Sequence, residues 1–129
     1  MSTLGSKGKK LNILIKQGDF FGKYKVIVTA LNSEGVRVPY DLSNKEILGQ
    51  IRKTGQSTEV IASFSIECPD PESGIFFFYM GEDVTASIPC GEEDKDDASI
   101  YVWEMQIAAI PTKTIFYGKV NVFRDAAHE

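Results

Sequence analysis

Apolar and polar positions alternate along this chain in short runs, and turn residues separate the runs. Residues 59–67 show the pattern most cleanly. Val60, Ala62, Phe64 and Ile66 fall on one side and Glu59, Ser63, Ser65 and Glu67 on the other, with Ile61 the exception. Successive side chains of an extended strand point to opposite faces, so this run predicts an antiparallel strand with one face in a core and one in water. Residues 23–31 set Tyr24, Val26, Val28 and Ala30 against Lys25, Ile27, Thr29 and Leu31. Residues 46–53 set Ile47, Gly49 and Ile51 against Leu48, Gln50 and Arg52. In residues 99–107, Tyr101, Trp103, Met105 and Ile107 share one face, with Glu104 and Gln106 on the other. Residues 11–15 form a first short strand and residues 114–123 a last one. Residues 75–80 (IFFFYM) are apolar on both faces, which predicts a central strand or one covered by a neighbour.

The punctuation agrees. Gln17-Gly18-Asp19, Asn32-Ser33-Glu34-Gly35, Pro39 with the 41–44 loop, the Gly55-containing stretch 54–58, Pro69 to Gly74 and Pro111-Thr112-Lys113 are turn or loop signals. Residues 81–88 predict one helical turn, with Glu82 and Asp83 near its positive end and Pro89 closing it. About seven strands at regular spacing predict an all-β fold. The expected form is an immunoglobulin-like antiparallel β-sandwich with one short helical turn. "Immunoglobulin-like" refers to architecture, because the Cys…Trp…Cys spacing of antibody domains is absent. The expected organisation is a flexible N-terminal arm over residues 1–10, one sandwich domain over 11–124 and a polar tail over 125–129.

Composition narrows the class. The 129 residues are 43% hydrophobic and 25% charged, the balance of one ordinary globular domain. No apolar run approaches the ~20 residues that span a bilayer. The 11–15 run is too short for a signal-peptide core, so folding in a cytoplasm is expected. A net charge of −4 argues against nucleic acid as the main partner. The arm nevertheless carries Lys7, Lys9 and Lys10. Cys68 and Cys90 lack CxxC spacing and a histidine cluster, which argues against zinc and for reduced thiols.

Candidate chemistry is sparse. The single histidine, His128, lies next to the last residue, where a catalytic triad is implausible. No glycine-rich phosphate loop occurs. The acidic residues Glu92, Glu93, Asp94, Asp96 and Asp97 lack the spacing of a calcium-binding EF-hand, and read as a solvated hairpin tip. Neither catalytic, cofactor-binding nor metal-ligating residues are assigned. The aromatics remain. In a sandwich most belong to the core. Adjacent strand residues point oppositely, so one member of Phe20-Phe21, and part of Phe76-Phe77-Phe78, should face outward. An outer aromatic face calls for a covering partner. The candidate partner contacts are therefore Lys7, Lys9, Lys10, Phe20, Phe21, Phe76 and Phe78.

The order of motifs resembles a family of small tailed-bacteriophage domains found in baseplate and tail-fibre-anchoring proteins, of the type at the N-terminus of the baseplate upper protein. The matching residues are Lys16-Gln17-Gly18-Asp19, Gly35 with Val38-Pro39-Tyr40-Asp41-Leu42-Ser43, and Gly49-Gln50-Ile51-Arg52. Ser73-Gly74-Ile75-Phe76-Phe77-Phe78, Glu82-Asp83-Val84-Thr85, Tyr101-Val102-Trp103-Glu104-Met105 and Gly118-Lys119-Val120-Asn121-Val122 follow in order. Together they cover residues 11–123. Asn44-Lys45 replaces the family's usual Gly-aromatic pair, and the acidic stretch 89–98 is longer than usual. The resemblance implies a non-enzymatic virion structural protein, an adaptor or connector in the tail, baseplate or fibre-attachment apparatus. It also implies homo-oligomers, other virion proteins as partners, no cofactor, and location in the virion after assembly in the host cytoplasm. Alternatives are a capsid decoration protein and a carbohydrate-binding module. The last depends on an exposed aromatic platform, for which Trp103 is the leading residue.

Overall fold

The computed structural model describes residues 8–90, 98–109 and 112–124. In chain order these contain β1 (Lys9–Lys10), β2 (Ile13–Lys16), β3 (Phe21–Ile27), β4 (Thr29–Leu31) and β5 (Arg37–Pro39). There follow β6 (Glu46–Arg52), β7 (Val60–Ser63), β8 (Ser65–Asp70), a single 3-10 turn (Pro71–Ser73) and β9 (Ile75–Met80). Helix α1 (Glu82–Ser87), β10 (Ala98–Ala108) and β11 (Lys113–Phe123) complete the set. The fold is all-β. A large sheet has the order β1-β11-β10-β6-β7, with β2 also on β11, and a small one the order β3-β9-β8. Strands β4 and β5 form a separate hairpin.

Two of the expected strands are each divided, for the same reason: the chain changes partners. At Val28 the N–H donates to the Gly74 carbonyl (2.8 Å) while the carbonyl accepts from the Tyr40 N–H (2.9 Å). Residue 28 thus serves as a joint, with β3 before it in the small sheet and β4 after it in the hairpin. At Phe64 the N–H still donates to Gly49 of the large sheet (2.8 Å), and β8 then joins the small one. The alternation survives both divisions. Val26, Val28, Ala62 and Phe64 are all buried. Val60 and Tyr24 are the departures, at 37% and 49% exposure, each beside a register shift, at Ile51/Arg52 and at Gly22/Tyr24.

The core lies between the sheets. Trp103 is 2% exposed and holds its centre, with ring centroids at 5.6 Å from Phe64, 5.9 Å from Phe78 and 5.9 Å from Phe116. Phe64 and Phe78 meet edge-on at 5.5 Å. Each such fully buried ring stabilises the fold by about 1.5–3 kcal/mol through area alone. The run IFFFYM is β9, the middle strand of the small sheet, as its two apolar faces predicted. Its inward face is Phe76, Phe78 and Met80; Ile75, Phe77 and Tyr79 are half-buried on the other.

The opening segment corrects two expectations. Lys9 and Lys10, placed in the arm by sequence, form β1 and pair with Phe116 and Tyr117. Both β1 and β2 run parallel to β11, so the large sheet is mixed rather than wholly antiparallel. Between them Leu11 takes over the pairing through its N–H to the Tyr117 carbonyl (2.8 Å), while its carbonyl accepts the Trp103 indole N–H (2.7 Å). Asn12 accepts the Lys119 N–H at 2.9 Å. Gly118 permits this approach: a β-carbon there would stand 2.3 Å from the Leu11 carbonyl oxygen. Residues 1–7, including Lys7, and the tail 125–129 with His128 lie outside the described residues.

Candidate interaction surface

The buried faces of the two sheets leave two outer faces, and the residues singled out by sequence divide among three places. Phe76 and Phe78 are 0% and 3% exposed, so they are core residues and not partner contacts. Their alternation was read correctly, but its inward side was not: Phe77 and Tyr79 are the outward members. Phe21 is half-buried, with its ring 5.8 Å from Phe64 and 6.4 Å from Phe78. Phe20 is 50% exposed and stacks on Tyr79 at 5.7 Å. Lys9 and Lys10 are exposed at the β11 edge of the large sheet.

The outer face of the small sheet is partly covered by the protein itself. Lys23 lies 5.4 Å from the Phe77 ring centroid and 5.7 Å from that of Tyr79. It also forms an ion pair with Glu67, and its hydrogen bond holds the Glu67 carboxyl below the usual carboxylate range. A lysine stem over aromatic rings shields apolar surface while its ammonium stays wet.

The outer face of the large sheet carries a groove of about 350 Å³. Its floor follows from register. Arg52 on β6 faces Val102 on β10, which faces Lys119 on β11. One step along, Gln50 faces Glu104, Glu104 faces Tyr117, and Tyr117 faces Lys10 on β1. Leu48 opposite Gln106 closes the far end. Two side-chain bonds fix the polar members: Arg52 Nη2 donates to Gln50 Oε1, and Gln106 Nε2 donates to Glu104 Oε1 at 3.1 Å. The buried Arg52 Nε has no hydrogen-bond partner among the described residues. Among the described residues three cations thus face one carboxylate over a partly apolar floor. Sequence reasoning placed Leu48, Gln50, Arg52, Glu104 and Gln106 on outward faces without joining them. Alternation identifies a face, whereas only strand pairing says which faces adjoin.

The motifs prove to be structural. The hydroxyl of Thr85 in α1, fully buried, accepts the Gly18 N–H (3.0 Å) and lies 2.9 Å from the Asp19 carbonyl, to which it donates. Gln17 Nε2 donates to the Ile88 carbonyl at 2.7 Å. The Gln-Gly-Asp turn is thereby docked on the helical turn. Trp103 is buried, so it supplies no sugar-stacking ring. The two cysteines are thiols and not a disulfide. Cys68 donates to the Ile75 carbonyl and Cys90 to that of Val122, at 3.5 and 3.1 Å. Burial pushes the Cys68 thiol pKa up. Among the described residues no cluster of three or more metal-ligating side chains occurs, and the acidic stretch 92–97 lies outside them. No protein-family model matches the chain, and no curated protein matches it. The class that fold and surface define is an all-β sandwich with a charged groove on its larger sheet.

Proposed function

We propose that the chain is a non-enzymatic structural protein of a bacteriophage particle, an adaptor or connector in the tail, baseplate or fibre-attachment apparatus that acts through protein–protein contacts. The observation that carries this reading is the ordered motif set spanning residues 11–123. Its residues hold the fold together, as in the docking of Gln17-Gly18-Asp19 on Thr85 and of Leu11 on Trp103. A rigid scaffold with open, chemically distinct outer faces suits a part built into a larger assembly. The non-catalytic half of the reading rests on side-chain chemistry, since the chain's one histidine is His128.

The test is size measurement in solution with and without purified tail, baseplate and capsid components, beside a glycan-binding screen. A stable complex with a tail or baseplate component supports the reading. Binding to capsid shells alone moves the chain to the decoration proteins. A strict monomer that binds glycans and no virion component overturns the proposal.

A further inference from the structure

The chain's charge is unevenly divided. Residues 92–97 hold five carboxylates and one lysine, a net of −4, which is the net charge of the whole chain. The remainder therefore sums to zero, and on it, among the described residues, the large-sheet groove gathers Lys10, Arg52 and Lys119 against the single carboxylate of Glu104. We propose that this groove receives the acidic segment 92–97 of a second copy of the chain.

Geometry matches the two parts. Across the strands the cations run from Arg52 on β6 past Lys119 on β11 to Lys10 on β1, three strand spacings or about 14 Å. Laid out as a strand, residues 92–97 extend over about 17 Å, and Glu92, Asp94 and Asp96, on one side, span about 13 Å. Three carboxylates then meet three cations.

The chain's own segment cannot take this place. Cys90 is fixed by its thiol to the Val122 carbonyl and by its own carbonyl to Arg124, and Ala98 pairs with Phe123. Both ends are thus held at the far end of β11. A seven-residue loop returning to its origin reaches about 12–14 Å. The Val102 row, with Arg52 and Lys119, lies about 13 Å along β10 from Ala98, at the limit of that reach, and the Glu104 row, where Lys10 stands, about 20 Å away. Only a segment from another molecule spans all three cations. Groove and segment are different surfaces, so the contact is head-to-tail and leads to rings or filaments.

The experiment uses the purified chain and three variants, followed by sedimentation velocity in 0.1 M and 1 M salt. One variant neutralises the segment (E92Q, E93Q, D94N, D96N and D97N together). The other two alter the groove: R52Q, and K119Q at an exposed position that leaves the core untouched. The unaltered chain should associate with rising concentration at 0.1 M salt and dissociate at 1 M, where the screening length falls from about 10 to about 3 Å. Each variant alone should be at least about tenfold weaker in self-association. An equimolar mixture of the segment variant with either groove variant should restore a dimer and nothing larger, because one intact groove then meets one intact segment.

A chain that stays monomeric at about 1 mM in 0.1 M salt overturns the proposal. So does a segment variant that associates like the parent, or a mixture that stays monomeric. A titration of the synthetic 91–97 peptide should shift the NMR signals of Gln50, Gln106 and Tyr117, whereas an oligo-uronate shifting them when the peptide does not assigns the groove to acidic sugar. Because only this chain is present, these results are independent of whether it binds virion components.

Discussion

Thr85→Val tests how the Gln-Gly-Asp turn is held. Valine has the shape of threonine without its hydroxyl, so packing is preserved and only the hydrogen bonds go. The Gly18 N–H loses its acceptor and the Asp19 carbonyl its donor. Thr85 is wholly buried, while Gly18 is half-buried and Asp19 exposed, so the Gly18 N–H, facing a buried hydroxyl, carries the larger part of the loss. At about 1–3 kcal/mol for such a group, and less for a carbonyl that water can reach, the variant should lose about 2–4 kcal/mol. For a chain of this length that is about 8–16 °C in Tm. Thermal unfolding by circular dichroism, with urea titration for the free energy, measures it. Thr85→Ser keeps the hydroxyl and loses one methyl, so it should cost only about 1 kcal/mol. A Thr85→Val protein melting within about 2 °C of the parent, or a serine variant as damaged as the valine one, would refute the docking argument.

The aromatic assignment separates two substitutions: Phe78→Ala should cost about 3–5 kcal/mol in urea unfolding and Phe20→Ala less than about 1 kcal/mol, and equal costs would undo the distinction between core and surface rings. Trp103→Phe removes the indole bond to the Leu11 carbonyl along with ring volume, and should lose about 2–3 kcal/mol; amide exchange should rise selectively at Leu11 and Lys119, and uniform exchange would count against the link. The Glu67 carboxyl titrates lower in the folded chain than in the unfolded one, so the Lys23 pair contributes stability at neutral pH that is lost as pH falls through the folded value. In an NMR titration Lys23→Met should raise the Glu67 midpoint, and an unmoved midpoint would discount the pair. Cys68, its thiolate disfavoured by burial, should alkylate more slowly at pH 8 than a small thiol and at the same rate once unfolded in urea; peptide mapping by mass spectrometry reads both.

Much of the strand content was legible because a period of two is a local property. Residues 46–53 and 99–107 show it: both strands bury the set that the pattern marked, from Ile47 and Ile51 to Trp103 and Ile107. The divisions at Val28 and Phe64 were not legible. No residue type marks the place where a strand trades one partner for another, and both joints are fixed by carbonyls distant in sequence, those of Gly74 and Gly49. Phe76 and Phe78 were misplaced for a related reason. A strand apolar on both faces carries no polar side to say which way is out, and the choice falls to the Trp103 cluster that Phe78 joins.

The chain's alternation and punctuation by themselves determined that this is an all-β protein, where most strands lie and, where apolar and polar positions alternate cleanly, which side is buried. They act between near neighbours, where extended geometry leaves two directions and water selects one. Tertiary structure alone decided what adjoins what. It carried Lys10 from a supposed arm to the rim of a groove, and set Arg52, Val102 and Lys119 in one row from three distant stretches of sequence. Register is fixed by the packing of whole sheets around Trp103, and a surface assembled across strands exists only once that packing is made.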